Sequence, residues 1–214
     1  MIKKSLKKLY NSVGRSYPRR VAVGTHNLET IEFIKKIKPK SIAEIGVYKG
    51  HTTKEIIKCI DDETFLHLFD FDDRLHALSK ELDKQNFNNY KCYSNTYSYL
   101  DSYNTSLNKL WAKTKKPIFD YIFLDGAHTF PIDALTFFIC DFLLKKGGYI
   151  DFDDYDWTLK SSPSQGPDVF PLTNKLYSPE QISEKGIKIL IENYVLLSGK
   201  YETVIENKIY RKIV

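Results

Sequence analysis

The sequence predicts a doubly wound α/β sheet, and three observations carry the prediction. Short apolar runs alternate with stretches of helical period from residue 27 to residue 152, the rhythm of parallel βαβ units. The first run ends in a glycine turn, Gly46 and Gly50 of SIAEIGVYKGHTT, with a helix starting near Thr52. The ends of successive runs carry Gly46, Asp70, Asn95, Asp125 and Asp153. Right-handed crossovers place all such ends on one edge of the sheet, where open α/β sheets bind ligands.

The elements follow in order. A helix is expected over 27–38, with Leu28, Ile31, Ile34 and Ile37 on one face, Asn27 as cap and Pro39 as stop. Strand one, 41–45, leads to a helix over 52–60. Strand two, 64–69, ends in Asp70, and a helix follows over 74–84. Strand three lies near 90–94. Leu100, Leu107, Leu110 and Trp111 mark a helix over 97–113. Pro117 precedes strand four, 121–124, which ends in Asp125. Thr129 and Pro131 open a helix over 131–144, with proline at its favoured first position, and Gly147-Gly148 are expected to close it. Strand five is 149–152. Residues 157–178 hold Pro163, Pro167 and Pro171 among serines, a long loop of the kind that is functional or disordered. Ser178 caps a helix over 179–192. Residues 194–214 alternate as two antiparallel strands turning at Ser198-Gly199-Lys200.

Length and composition bound the function. A chain of 214 residues fits one domain, 25–214, behind a basic arm, 1–24. No apolar run reaches transmembrane length. Cys59, Cys92 and Cys140 are odd in number and lack a Cys-x-x-Cys pair, which points to reduced thiols in the cytoplasm and away from a zinc site. The net charge of +5 comes from the arm: residues 1–20 hold seven Lys and Arg and no acid. The remainder is slightly acidic, so nucleic-acid binding is not expected. In the arm, Ile2, Leu6, Leu9 and Val13 recur at helical spacing between lysines. Such a helix either meets an anionic membrane surface or acidic substrate, or packs on the domain with its basic face in water.

The strand-end residues define the chemistry. Gly46 and Gly50 leave backbone bare, and the following helix N-terminus adds unpaired N–H groups, a place for a carboxylate or phosphate. A plain tight turn is the competing account. Gly-x-Gly-x-x-Gly is absent, which disfavours a nicotinamide dinucleotide. Asp70 is placed to bind two ribose hydroxyls, or else is a loop carboxylate beside Asp72 and Asp73. Strands four and five should bring Asp125, Asp153 and Asp154 together. Two carboxylates 4 Å apart repel by about 4 kcal/mol at an effective dielectric near 20, so three need a proton or a cation. Mg²⁺, a hard ion that takes oxygen ligands, meets that need; separate, solvated carboxylates would not require it. His128, three residues past Asp125, either takes a proton from a substrate hydroxyl near neutral pH or hydrogen-bonds locally.

Four segments carry a family resemblance: AEIGVYKGHTT, the strand-end Asp70, FLDGAHTF and KKGGYIDFDDYDW. Together they resemble a class I S-adenosylmethionine-dependent methyltransferase over residues 25–214. They are similar to small bacterial O-methyltransferases of sugars, polysaccharides and secondary metabolites. The resemblance implies a Rossmann-like, seven-stranded sheet, mostly parallel with the last strand antiparallel. It implies S-adenosylmethionine along Glu44, Gly46, Tyr48 and Gly50, reaching Asp125, with ribose on Asp70 and adenine near Asn95. Related sugar O-methyltransferases hold Mg²⁺ with three aspartates, which match Asp125, Asp153 and Asp154. They carry a further Asp, as base, where this chain has Ala127. His128 is the substitute, with Asp125 beside it in catalysis. SPSQGPDVFPLTNKLYSPEQI resembles the segment these enzymes place over the acceptor. The amino-methylating signature Asn/Asp-Pro-Pro-Tyr/Phe is absent. The expectation is Mg²⁺-assisted methyl transfer to an oxygen of a small, sugar-derived acceptor of capsule, lipopolysaccharide or secondary metabolism. The rival is a non-catalytic module that binds S-adenosylmethionine or a nucleotide and docks on a membrane or partner through residues 1–20. A homodimer is open in either case.

Overall fold

The computed structural model describes residues 27–98 and 100–214. The basic arm, 1–24, and its amphipathic helix lie outside them. The described chain runs α1 (Leu28–Ile37), β1 (Ser41–Ile45), α2 (His51–Cys59), β2 (Phe65–Phe71), α3 (Asp72–Lys84), β3 (Tyr90–Asn95), α4 (Tyr103–Thr114), β4 (Phe119–Leu124), α5 (Phe130–Leu143) and β5 (Leu144–Phe152). Short helical pieces follow, among them α6 (Thr173–Leu176), α7 (Pro179–Ser183) and α8 (Gly186–Leu190). A hairpin of β6 (Tyr201–Ile205) and β7 (Ile209–Lys212) ends the chain.

The sheet has seven strands in the order β3-β2-β1-β4-β5-β7-β6. The pairs β2–β3, β1–β2, β1–β4 and β4–β5 are parallel. β7 runs antiparallel to both neighbours, β5 and β6. The doubly wound sheet with an antiparallel final strand is thus observed. The central strands are apolar on both sides because both faces are covered. Ile34 of α1, Ile56 of α2 and Leu75 and Leu78 of α3 pack on Ile42, Leu68, Tyr121 and Phe123. On the opposite face, Leu107 of α4, Ile139 and Leu143 of α5 and Leu190 of α8 pack on Ile45, Phe69, Ile122 and Ile150.

At the amino-end edge of the sheet, Asp120 joins three strands. Its Oδ2 accepts from the N–H groups of Lys40 (3.1 Å) and Ser41 (2.9 Å), and its Oδ1 from Lys145 Nζ (2.8 Å).

Several boundaries differ from expectation, each for a local reason. α4 begins at Tyr103, not 97, because Asp101 accepts from the Thr96 N–H and hydroxyl and holds the preceding segment as a turn, with Ser102 as the cap. Asn27 flanks α1, but its side chain donates to Thr52 Oγ1 (2.8 Å) and makes no cap. Gly147-Gly148 do not close α5. They lie inside β5, in a bulge where the register jumps from Phe119↔Leu144 to Tyr121↔Tyr149. Gly147 has φ +81°, which a bulge accepts most easily from glycine. The helix expected over 179–192 is broken after Ser183. A Cβ on Gly186 would sit 2.6 Å from the Phe130 nitrogen, so the break lets the chain approach the start of α5. Ser198-Gly199-Lys200 is not the hairpin turn. Gly199, φ +68°, ends the helical stretch, and the β6–β7 turn falls at 206–208 with Asn207 at φ +59°.

Cys59, Cys92 and Cys140 are free, the last buried and the other two half-buried. Among the described residues no helix is long and apolar enough to cross a membrane.

Candidate active site

The carboxyl-end edge of β1 is built around Gly46. Its φ is +93°, and a Cβ there would overlap the Asp125 carbonyl oxygen. Glycine therefore lets the end of β1 lie directly against the end of β4, where the Asp125 N–H donates to the Ile45 carbonyl at 2.9 Å. Gly50, φ +68°, leaves its Cβ space to the Leu78 side chain of α3. Both glycines fall where the sequence placed them, but protein fills the space they vacate. Nor are the turn's N–H groups bare. Gly46 donates to the Phe69 carbonyl (2.9 Å), Gly50 to that of Val47 (2.8 Å) and Tyr48 to Asp70 Oδ2 (2.6 Å).

What the edge offers a ligand is unpaired acceptors. Glu44 is 1% exposed. Its Oε2 accepts from Thr53 Oγ1 at 2.7 Å, while its Oε1 is buried without a partner among the described residues. Burial, followed at a distance by the charge of Asp70, pushes its carboxyl from 4.5 up to about 8, against the Thr53 hydrogen bond. At the end of β3, Asn95 is buried and its Oδ1 also lacks a partner. A buried acceptor left unpaired costs about 1–3 kcal/mol, so each site calls for a donor.

Asp70 is in the opposite condition. Its Oδ1 accepts from the Phe71 N–H (2.6 Å) and from Arg74 Nη1 (3.0 Å), while Oδ2 holds the Tyr48 N–H. The Arg74 guanidinium lies over the rings of Phe71 (4.9 Å) and Tyr48 (5.1 Å), and Phe71 stacks on Tyr97 at 4.2 Å. Asp70 is therefore no exposed loop carboxylate. The sequence did not single out Arg74. Its signal was its place four residues past Asp70, one helical turn away.

Across the sheet, the ends of β4 and β5 meet. The Asp153 N–H donates to the Leu124 carbonyl at 3.0 Å. The Nε2 of His128 stands 3.5 Å from Asp125 Oδ1 and 3.5 Å from Asp154 Oδ2. His128 and Asp154 both adopt left-handed backbone, φ +57° and +60°, a conformation that costs a residue with a Cβ about 1–2 kcal/mol. Asp125 titrates well above the usual carboxylate range, first through burial, then through the charges of Asp153, Asp154 and Glu44. So Asp125, Asp153, Asp154 and His128 converge as expected. The metal-ligand reading of the three aspartates fares differently. Among the described residues no three His, Cys, Asp or Glu side chains are grouped so as to hold a metal ion. An imidazole, not an open coordination position, lies between Asp125 and Asp154.

Ala127, where the resemblance placed a base, packs against the apolar core. The Trp157 ring lies 5.2 Å from that of His128. Trp157, Leu159, Gln181 and Glu184 line a small depression beside His128. The segment after β5 thus forms the wall of the site. Trp157 was missed because a lone Trp in a loop carries no periodic signal.

Residues 43–155, more than half of the chain, match the family described as Methyltransferase domain. The chain belongs to that family. This methyltransferase has the fold of the class I S-adenosylmethionine-dependent enzymes. It is similar to the O-methyltransferase TomG from Streptomyces achromogenes, involved in tomaymycin synthesis and solved with SAM (13% identity, TM-score 0.60, 98% of this chain and 90% of that one). It is similar to an O-methyltransferase from Bacillus cereus solved with SAH (14%, 0.60, 99% and 91%). It is similar also to the SAH-bound methyltransferase PaMTH1 from Podospora anserina (18%, 0.58, 98% and 87%). At these identities the likeness is one of fold. No curated protein is close enough to count as a match.

Proposed function

We propose that the protein transfers a methyl group from S-adenosylmethionine to an oxygen of a small, sugar-derived acceptor in the cytoplasm. One observation carries the reading: at the edge facing the Gly46 turn, Asp125 and His128 stand together, 3.5 Å apart, with Asp125 holding its proton more readily than an ordinary carboxylate. Such a pair suits the removal of a hydroxyl proton. S-adenosylmethionine, when bound, supplies an electrophilic methyl on a cationic sulfur.

The donor's chemistry fits the residues present. It brings two amines, and the edge holds two buried acceptors without partners, Glu44 Oε1 and Asn95 Oδ1. Glu44 would meet the amino-acid ammonium and Asn95 the adenine amine. Asp70 would take the ribose hydroxyls on lone pairs left beside Tyr48, Phe71 and Arg74. Gly46 and Gly50 shape the turn along which the donor would lie. On the acceptor side, Trp157 offers a sugar ring an aromatic face, and Asp153 and Asp154 offer acceptors to its hydroxyls. Capsule, lipopolysaccharide and secondary-metabolite sugars all meet that description. Ala127, where a base was expected, favours the rival, a non-catalytic module, and the Asp125–His128 pair speaks against it.

Mg²⁺ on Asp125, Asp153 and Asp154 has carboxylate chemistry in its favour but not the arrangement of the side chains. The test is a screen of nucleotide-activated sugars with S-adenosylmethionine, with and without EDTA, read as a product heavier by one CH₂. A hydroxyl-methylated sugar supports the reading, and methylation confined to amines overturns it. Activity lost in EDTA and restored by Mg²⁺ would return the three aspartates to the role of ligands.

A further inference from the structure

We infer that Tyr103 and Asp133 are positioning residues, which hold the loop from Asp125 to Thr129 so that the carboxylate of Asp125 and the imidazole of His128 face each other. The inference rests on the proton-handling reading of that pair.

The loop is five residues long and joins β4 to α5. Two of its backbone N–H groups point inward. Ala127 donates to the Tyr103 hydroxyl at 2.6 Å, and Thr129 donates to Asp133 Oδ2 at 3.0 Å. The Tyr103 hydroxyl in turn donates to Asp133 Oδ1 at 2.9 Å. One closed chain therefore runs from the loop backbone through a phenol and a carboxylate back to the loop backbone. Asp133 is fully buried and Tyr103 nearly so. Asp133 lies close enough to His128 for their charges to interact, so Tyr103→Phe, which changes no charge, is the variant that isolates positioning.

The anchors themselves are fixed. Tyr103 is the first residue of α4 and Asp133 lies in the first turn of α5. Asn104 ties these two helix starts together, its Nδ2 donating to the Ile132 carbonyl (3.1 Å) and its Oδ1 accepting from Thr136 (2.6 Å). Gly126 fits the same account, because a Cβ there would collide with the Tyr103 hydroxyl and lie 2.8 Å from Asp133 Oδ1. From the other side, a Cβ at Gly186 would come within 3.0 Å of the His128 carbonyl. The loop is clamped between a buried polar pair and a glycine. This is how His128 is kept in left-handed backbone with its Nε2 on the two carboxylates. Ala127 supplies its N–H to the clamp and its methyl to the core. Nucleophile-side groups held this way lose less freedom when the acceptor binds.

The test compares variants of the full chain by a histidine side-chain ¹H–¹⁵N spectrum, with His128 assigned by the signal missing in His128→Asn. Tyr103→Phe removes one buried hydroxyl that touches the loop. Thr30→Val removes one buried hydroxyl, bonded to Asp151 at 2.6 Å, that does not. The His128 signals should move or broaden in Tyr103→Phe and in Asp133→Asn and stay in place in Thr30→Val, with S-adenosylhomocysteine affinity unchanged in all three. Unmoved His128 signals in the first two, or an equal movement in Thr30→Val, overturns the inference. So does failure of both loop variants to fold while Thr30→Val folds, because the pair would then serve stability alone. Wild-type turnover by His128→Asn and Asp125→Asn would refute the proton-handling reading instead, and would leave the spectral result standing.

Discussion

The two halves of the carboxyl-end edge treat their acids in opposite ways. At β1, β2 and β3, Asp70 spends both oxygens on neighbours within four residues or on the adjoining turn, while Glu44 and Asn95 keep one buried acceptor each in reserve. At β4 and β5, Asp125 and Asp154 share a single imidazole, and burial, then the charges of Asp153 and Asp154, raise Asp125. The first half is short of donors and suits a donor-rich, cationic ligand. The second is short of positive charge and suits proton exchange. The halves touch through Gly46, whose bare Cα lies on the Asp125 carbonyl, so they are fixed in space yet distinct in chemistry.

A clean separation of the two is the sharpest test. Asp125→Asn should lower turnover by about 100-fold or more, the scale of lost acid–base catalysis, while S-adenosylhomocysteine affinity holds. The same substitution should raise the melting temperature. A carboxyl whose folded value is raised opposes folding once pH exceeds its unfolded value, and the neutral amide removes that opposition. Full turnover, or a fall in melting temperature, would break the comparison.

The reciprocal variant is Asp70→Ala. It should weaken S-adenosylhomocysteine binding by about 1–3 kcal/mol by calorimetry, the cost of stranding hydrogen-bonded partners, with turnover at saturation preserved. Loss of turnover without loss of affinity would merge the halves.

Glu44 supplies a pH signature of the donor half alone. Its carboxyl rises from 4.5 to about 8 on folding, so the folded chain binds the extra proton between those values. Stability should therefore fall as pH rises from about 4.5 to about 8, and Glu44→Gln should flatten that slope in denaturant melts. An unchanged slope would show that burial does not govern Glu44.

The smallest effect belongs to Arg74. Its pair with Asp70 is mostly buried, and Arg74→Ala, by freeing a lone pair on Asp70 Oδ1, should raise S-adenosylhomocysteine affinity slightly. A clear fall would make Arg74 a contact of the donor.

The comparison also explains what the sequence revealed. The sheet was legible because runs such as 121–124 are apolar throughout and alternate with helical periods. Gly46, Asp70, Asn95 and Asp125 were legible because the strand rule places every such end on one edge. The reasons behind them were not. That Gly46 must admit the Asp125 carbonyl depends on the end of β4, far away in the chain. The pin on Ala127 depends on Tyr103 and Asp133, which read in sequence as an ordinary helix start and an ordinary first-turn acid. Gly147-Gly148 misled because the glycine pair that ends a helix is also the pair that makes a bulge, and only the register with Asp120 decides between them.

Asp120 gives the molecule a fixed end. By gripping the starts of β1 and β5 from β4, it ties the three central strands at the edge remote from chemistry. The carboxyl ends of the same strands are closed by the Asp125 N–H on Ile45 and the Asp153 N–H on Leu124, so the strands that carry the site are braced at both rails, like a frame.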